Sequence, residues 1–169
     1  MNFKNNFIDR QFKHIRFVQD NMILLEKNLD KLPFKVDEWE LIRACIDHDS
    51  DKFFPDILKG QMAVQEFFYN KRRGLPNDYI DQNEMKAAQL KHYEKNPHHI
   101  EYHLKHNTVM SNIDICEMCC DMAAMCQELW FDNYTKHFRE NLVPKFDFLK
   151  EKQEIFLNIL NLLKRLNEN

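Results

Sequence analysis

Glycine is nearly missing from this chain: 169 residues hold only Gly60 and Gly74. Phosphate-cradling loops and tight hairpins depend on glycine for positive φ and close backbone approach, so Rossmann and P-loop chemistry are excluded. Any phosphate handled here must be held by a metal, by side chains or by helix N-termini. Long apolar runs are also lacking. None approaches the ~20 residues of a spanning helix, and MNFKNNFIDRQF has no apolar stretch of the signal-peptide kind. The five cysteines are odd in number, and Cys116, Cys119, Cys120 and Cys126 share one helical segment with only Cys45 elsewhere. That spacing suits free thiols in a reducing compartment, and a cytoplasmic location is expected. Neither sign of charge dominates. The net charge of −3 gives no general pull toward nucleic acid or a membrane surface, and neither is an expected partner.

Hydrophobic residues make up 44% of the chain, with 14 phenylalanines, enough for a real core. A single all-α domain over residues 1–169 should bury roughly 70% of its unfolded surface. Apolar spacing near 3.6 predicts a helix over about 7–31, ending at Pro33. Asp37 caps a second helix, with Glu40 as its capping-box partner. Pro55 opens a third helix running to about 69, the loop KRRGLPNDYIDQN spans 71–83, and a helix follows over about 84–95. Asn96-Pro97 reads as a cap and first-turn proline for HHIEYHLKH. Helices over about 113–130, 132–142 and 147–167 complete a bundle of six to seven, with no internal repeat and no strand. The metal-site core would span about 7–130 and the packing helices about 132–167. The last helix repeats Ile155, Phe156, Ile159, Leu162, Leu163 and Leu166, a stripe suited to a core or a homodimer face.

The chemistry-bearing residues centre on the dyad His48-Asp49. His14 precedes it by 34 residues, Asp121 follows Asp49 by 72, and Lys52 stands three residues after the aspartate. Imidazole and carboxylate are the usual ligands of divalent metals of intermediate hardness. Asp121 interrupts the largely apolar CEMCCDMAAMC and shares a face with Asp114, Glu117 and Met118; a carboxylate turned to a core stays charged only when paired or metal-bound. Taken singly, His14 reads as a hydrogen-bonded histidine, Asp49 as a turn residue and Lys52 as a solvated charge.

Together, His14, His48-Asp49 and Asp121 resemble the H…HD…D signature of the HD-domain metal-dependent phosphohydrolase superfamily over roughly residues 7–130. His48-Asp49-Ser50-Asp51-Lys52 is similar to the H-D-x-x-K form of several HD phosphodiesterase branches. The longer pattern HDxxKF…NPHHxEYH…EMxxD is similar to a group of small HD-like proteins of phages and bacteria. The resemblance implies a helical HD-like domain in which His14, His48, Asp49 and Asp121 hold one divalent ion (Mn, Co, Ni, Fe, Zn or Mg). It implies hydrolysis of a nucleotide or related small phosphate ester. Lys52 would contact phosphate, Asp49 would orient or deprotonate water, and Glu101 or Glu117 would support them from behind.

His98, His99 and His103 extend the set, either as ligands of a second metal or as substrate contacts. A helix starting at Pro97 would add amide donors beside the first two. His103 and His106 complicate any neat assignment, while His92 and His137 read as solvated. Competing motifs are weaker. Asp47-His48-Asp49-Ser50-Asp51 mimics an EF-hand opening, but Lys52 replaces glycine at position six and Leu58 replaces glutamate at position twelve. Cys116-x-x-Cys119 has no second zinc pair, and Lys71-Arg72-Arg73 reads as a solvated loop. Two other functions stay open: an HD-fold di-iron oxygenase, and a non-catalytic helical module that binds a nucleotide or a partner.

Overall fold

The computed structural model describes residues 3–168, of which the side chains of 3–5 and 148 are left aside. It is all-α, with no strand among the described residues. The helices are α1 (Phe3–Glu26), α2 (Glu38–Asp47), α3 (Pro55–Arg73), α4 (Gln82–Lys95), α5 (Ile100–His106), α6 (Asn112–Leu129), α7 (Tyr134–His137) and α8 (Asp147–Asn167). Short 3-10 turns at Leu29–Lys31 and Ser50–Phe53 and a π turn at Phe138–Leu142 connect them. By packing, the chain forms two compact units: Met1–Lys13 with Asp49–Val109, and His14–His48 with Met110–Asn169.

In the first unit α3 packs on α4, and α4 on α5. Pro55 occupies the first turn of α3, where its missing N–H costs nothing. Gly74, in the left-handed region at φ 66°, ends that helix. Asp81 then caps α4 by accepting from the Asn83 and Glu84 amides. The two helices approach most closely at Gly60. A Cβ built there would lie 2.3 Å from the Ala88 Cβ and 2.8 Å from the Glu84 carbonyl oxygen. Helix backbone cannot yield as a flexible side chain would. Gly60→Ala is therefore expected to destabilise the protein by about 1–3 kcal/mol, despite alanine's helix propensity, and a lowered urea midpoint would register it.

In the second unit α6 packs on α8 and α2. Ser111 and Asp114 form a complete capping box at the start of α6. Cys119, Cys120, Ala123 and Ala124 are wholly buried, and their small size lets neighbouring helices come close. The stripe on α8 serves this core: Phe156, Ile159 and Leu163 are wholly buried, and Phe156 stacks on Phe138 at 4.8 Å. Leu162 is buried with them, while Ile155 and Leu166 are half-buried. No described helix is long and apolar enough to cross a membrane.

All five cysteines are free and buried. Burial pushes the Cys116 thiol up to about 12 and the Cys126 thiol up to about 11, and holds Cys119 and Cys120 well above the ordinary value. Unfolded thiols ionise near pH 9 while these stay protonated, so the unfolded state sheds protons first as pH rises. Stability should therefore be intact below pH 9 and fall above it. Cys116, Cys119 and Cys120 together would contribute up to ~4 kcal/mol per pH unit, at ~1.4 each. Urea midpoints between pH 8 and 11 measure this, and Cys116→Ala should remove about a fifth of the slope, because Cys45 and Cys126, both raised to about 11, lose stability over the same range.

Some boundaries differ from the sequence reading. The first helix stops at Glu26, because residues 29–31 tighten into a 3-10 turn. The third helix runs on to Arg73, which leaves 74–81 as the loop. Pro97 does not open a helix. The Asn96 side chain donates to the His92 carbonyl at 2.7 Å, and the His99 amide donates to Asn96 O at 3.0 Å. Helix α5 consequently starts only at Ile100, with His98 and His99 in the turn before it.

Candidate metal centre

Within the second unit, α1, the end of α2 and α6 bring together His14, His48 and Asp121. His14 lies on a buried stripe of α1 that continues through Val18, Met22 and Leu25. His48 directly follows the last residue of α2, where the chain leaves helical geometry. Asp121 stands on α6, in line with Glu117 one turn before it and Glu128 two turns after it. One ligand atom from each of His14, His48 and Asp121 lies within 4.8 Å of the others. Metal bonds of ~2.1 Å place ligand atoms roughly 3.0–4.2 Å apart, so the triad needs little movement to close on an ion.

A carboxylate stands behind each imidazole, and the one behind His48 is hydrogen-bonded to it. His48 Nδ1–H donates to Glu117 Oε1 at 2.9 Å, which leaves Nε2 as the lone-pair nitrogen. His14 Nδ1 lies 3.5 Å from Glu128 Oε1, and its Nε2 lies 3.0 Å from Asp121 Oδ1. A carboxylate behind a histidine is the usual device for fixing the tautomer of a metal ligand and raising its basicity. Two imidazoles and three carboxylates in a largely buried cluster also carry excess negative charge, which a cation would balance.

The first unit builds its own group from Asp49, His92, His98 and His99, with ligand atoms likewise within 4.8 Å. Asp49 adopts the left-handed region at φ 56°, which aspartate tolerates better than most residues, and so turns α2 into the 3-10 segment. Its Oδ1 lies 3.2 Å from His92 Nε2 and 3.7 Å from His98 Nε2, while Oδ2 accepts from Lys52 Nζ. His99 Nε2 approaches His92 Nε2 to 3.0 Å. Behind His92, both oxygens of Asp51 lie 3.0 and 3.1 Å from Nδ1. Nδ1 is the nitrogen that Asp51 engages, which turns Nε2 toward Asp49 and His99. Ligand atoms turned toward one another in this way suit a shared cation.

The sequence-predicted residues are thus distributed as follows. His14, His48 and Asp121 meet in the second unit, and Glu117 orients His48. Asp49, His98 and His99 meet in the first, where Lys52 holds one oxygen of Asp49. Glu101 lies in the first turn of α5, outside both groups. His103 also lies outside them: Nε2 bonds the Pro97 carbonyl at 2.7 Å and Nδ1 bonds Thr108 Oγ1 at 2.9 Å, bracing the turn that carries His98 and His99. His92 is not solvated. It is 2% exposed, because Met85, Ala88 and His92 form the buried face of α4. Asp51 and Glu128 were not singled out from sequence, though Glu128 continues the acidic stripe of α6 at i+7 from Asp121. Cys116 and Cys119 are wholly buried, and no cysteine belongs to the candidate metal groups among the described residues.

Fold and site together define an all-α protein with a histidine- and carboxylate-rich candidate metal centre. The chain belongs to a family of unknown function, DUF5662, whose model matches residues 4–163. Comparisons with curated proteins and with solved structures give no match.

Proposed function

We propose that this protein is a divalent-metal-dependent phosphohydrolase acting on a nucleotide or related small phosphate ester, in the manner of HD-domain enzymes. The observation that supports this reading best is the convergence of His14, His48 and Asp121 within ligand distance, with Glu117 seated on His48 Nδ1. Nitrogen and oxygen donors of this kind fit Mn, Co, Ni, Fe, Zn or Mg. When bound, such a cation supplies Lewis-acid stabilisation of phosphoryl charge and acidifies water.

The chain's own residues supply the rest. His14, His48 and Asp121 would hold one ion, and Asp49, His92, His98 and His99 have the donor set for a second. The Lys52 ammonium, 16% exposed on Asp49, is a point charge available to a phosphate oxygen. Asp49 Oδ1, facing His92 and His98, is the oxygen that would complete this second set. Glu117 and Asp51 engage Nδ1 of His48 and His92, which turns Nε2 of each ring inward.

The test is phosphate release from a panel of nucleoside 5′-phosphates, cyclic nucleotides and a chromogenic diester by metal-loaded protein. Release should stop with a chelator and return with added metal. If nothing on the panel is cleaved, the hydrolase reading fails. The three histidines around Asp49 favour one second reading, a di-iron oxygenase of the same fold. Iron content and an oxygen-dependent absorption spectrum distinguish it.

A further inference from the structure

The centre built from His14, His48 and Asp121 reaches solvent on one side. The side chains of His14 and His48 are 6% and 0% exposed, and that of Asp121 is 17%. Helix α7 belongs to the same compact unit, follows α6 after a short turn and packs back on it. Phe138 stacks on Phe156 at 4.8 Å, and Cys119 Sγ donates to the Phe156 carbonyl at 3.9 Å, so the end of α7 lies beside the middle of α6, where Asp121 stands. His137, one residue before Phe138, is exposed. In the π turn that follows, the Val143 amide donates to the Phe138 carbonyl at 3.0 Å. The Lys145 amide then donates to Leu142 O at 2.9 Å, which folds the chain back. Lys145 is exposed too, and it stands near enough, like Asp121, for its charge to act on the His137 imidazole. Three groups from three segments thus share one edge of the centre.

We propose that His137 and Lys145 form an anion contact at the open edge of the centre held by His14, His48 and Asp121, where they take the phosphoryl oxygens of the substrate. This rests on the phosphate-ester reading above and adds two residues to it. An ion held by Asp121 would balance that carboxylate and leave the ammonium and the imidazole to whatever anion approaches the ion. The Asn141 side-chain N–H donates to His137 Nδ1 at 3.4 Å, which leaves the ring's own N–H on Nε2. Loss of part of its hydration, together with the Lys145 ammonium, holds this imidazole below its ordinary value against the pull of Asp121, so at neutral pH it is an uncharged donor. Lys145 supplies the point charge and His137 the hydrogen bond, two contacts that phosphate oxygens accept. Neither residue belongs to the metal group, so metal binding and anion binding separate in experiment.

The probe is inorganic phosphate, titrated by calorimetry into the full, manganese-loaded chain, with phosphate release from nucleoside 5′-phosphates measured alongside. Lys145→Met should weaken phosphate binding about 10-fold or more, the usual worth of a hydrogen bond to a charged group. Lys145→Arg should keep most of the affinity, and His137→Ala should lose several-fold. Both side chains are exposed, so each variant should keep the melting temperature and the bound manganese of the wild type. Phosphate affinity untouched by Lys145→Met and His137→Ala, no phosphate binding by the wild type, or loss of manganese from either variant would each overturn the proposal. Phosphate binding that depends on the pair, in a protein that cleaves nothing, would support the contact while sinking the hydrolase reading. Turnover and phosphate affinity both unchanged by the two substitutions would do the reverse.

Discussion

His48→Ala is expected to abolish metal-dependent phosphate release and to empty the site formed with His14 and Asp121. Removing an outer partner of a metal ligand typically costs 10–100-fold in affinity, and removing the ligand itself should cost more. The substitution also takes the imidazole away from Glu117, which is 7% exposed and bonded to it at 2.9 Å. Losing that partner in the interior costs about 1–3 kcal/mol, so His48→Ala alone could lose activity by losing stability. His48→Asn separates the two effects. Its side-chain amide stands near the position of Nδ1 and can still donate to Glu117, yet it offers no imidazole lone pair. The asparagine variant should melt within a few degrees of wild type, bind less metal by elemental analysis, and release no phosphate. Wild-type metal content and turnover in that variant would remove His48 from the centre.

Asp51→Asn has the next largest expected effect, and it addresses the first unit. Asp51 is 5% exposed and aims both carboxylate oxygens at His92 Nδ1. That charge-assisted contact holds the Nδ1 proton and leaves Nε2 for the group around Asp49. An asparagine keeps one acceptor but removes the charge and adds an N–H, so the imidazole loses basicity and a defined tautomer. Affinity for an ion held by Asp49, His92, His98 and His99 should fall about 10–100-fold, while an ion held by His14, His48 and Asp121 should be retained. Titration of the apo protein by calorimetry should show two binding events in wild type and one weakened event in the variant. A saturating metal concentration should then restore turnover. Two unchanged binding events would mean that Asp51 merely fills space behind His92.

Particular residues show how far the sequence could be read. The sequence located α2, α6 and α8 almost to the residue, because each carries a plain local signal: the Asp37 cap before α2, the run of small and apolar residues in α6, and the apolar repeat of α8. His48, Asp121 and Glu117 stood out because a histidine beside an aspartate, or an acid within an apolar helix, is costly without a partner. His92 did not stand out. Its helix is rich in lysine, glutamine and glutamate, and a histidine among them looks solvated until Met85 and Ala88 are recognised as the buried face. Asn96-Pro97 misled for a local reason: asparagine can cap the next helix or bond back to the previous one, and here it bonds back to the His92 carbonyl.

Composition and pattern by themselves determined an all-helical chain, free buried thiols, no glycine-built phosphate loop, and a short set of ligand-type residues on helix faces. These depend on spacing along one element, which sequence displays directly. The pairings were decided only by tertiary structure: Glu128 behind His14, 114 residues away, Asp51 behind His92, 41 residues away, and three histidines turned toward Asp49. Helix packing sets such pairs, and the close approach of side chains from distant segments leaves no period in the sequence.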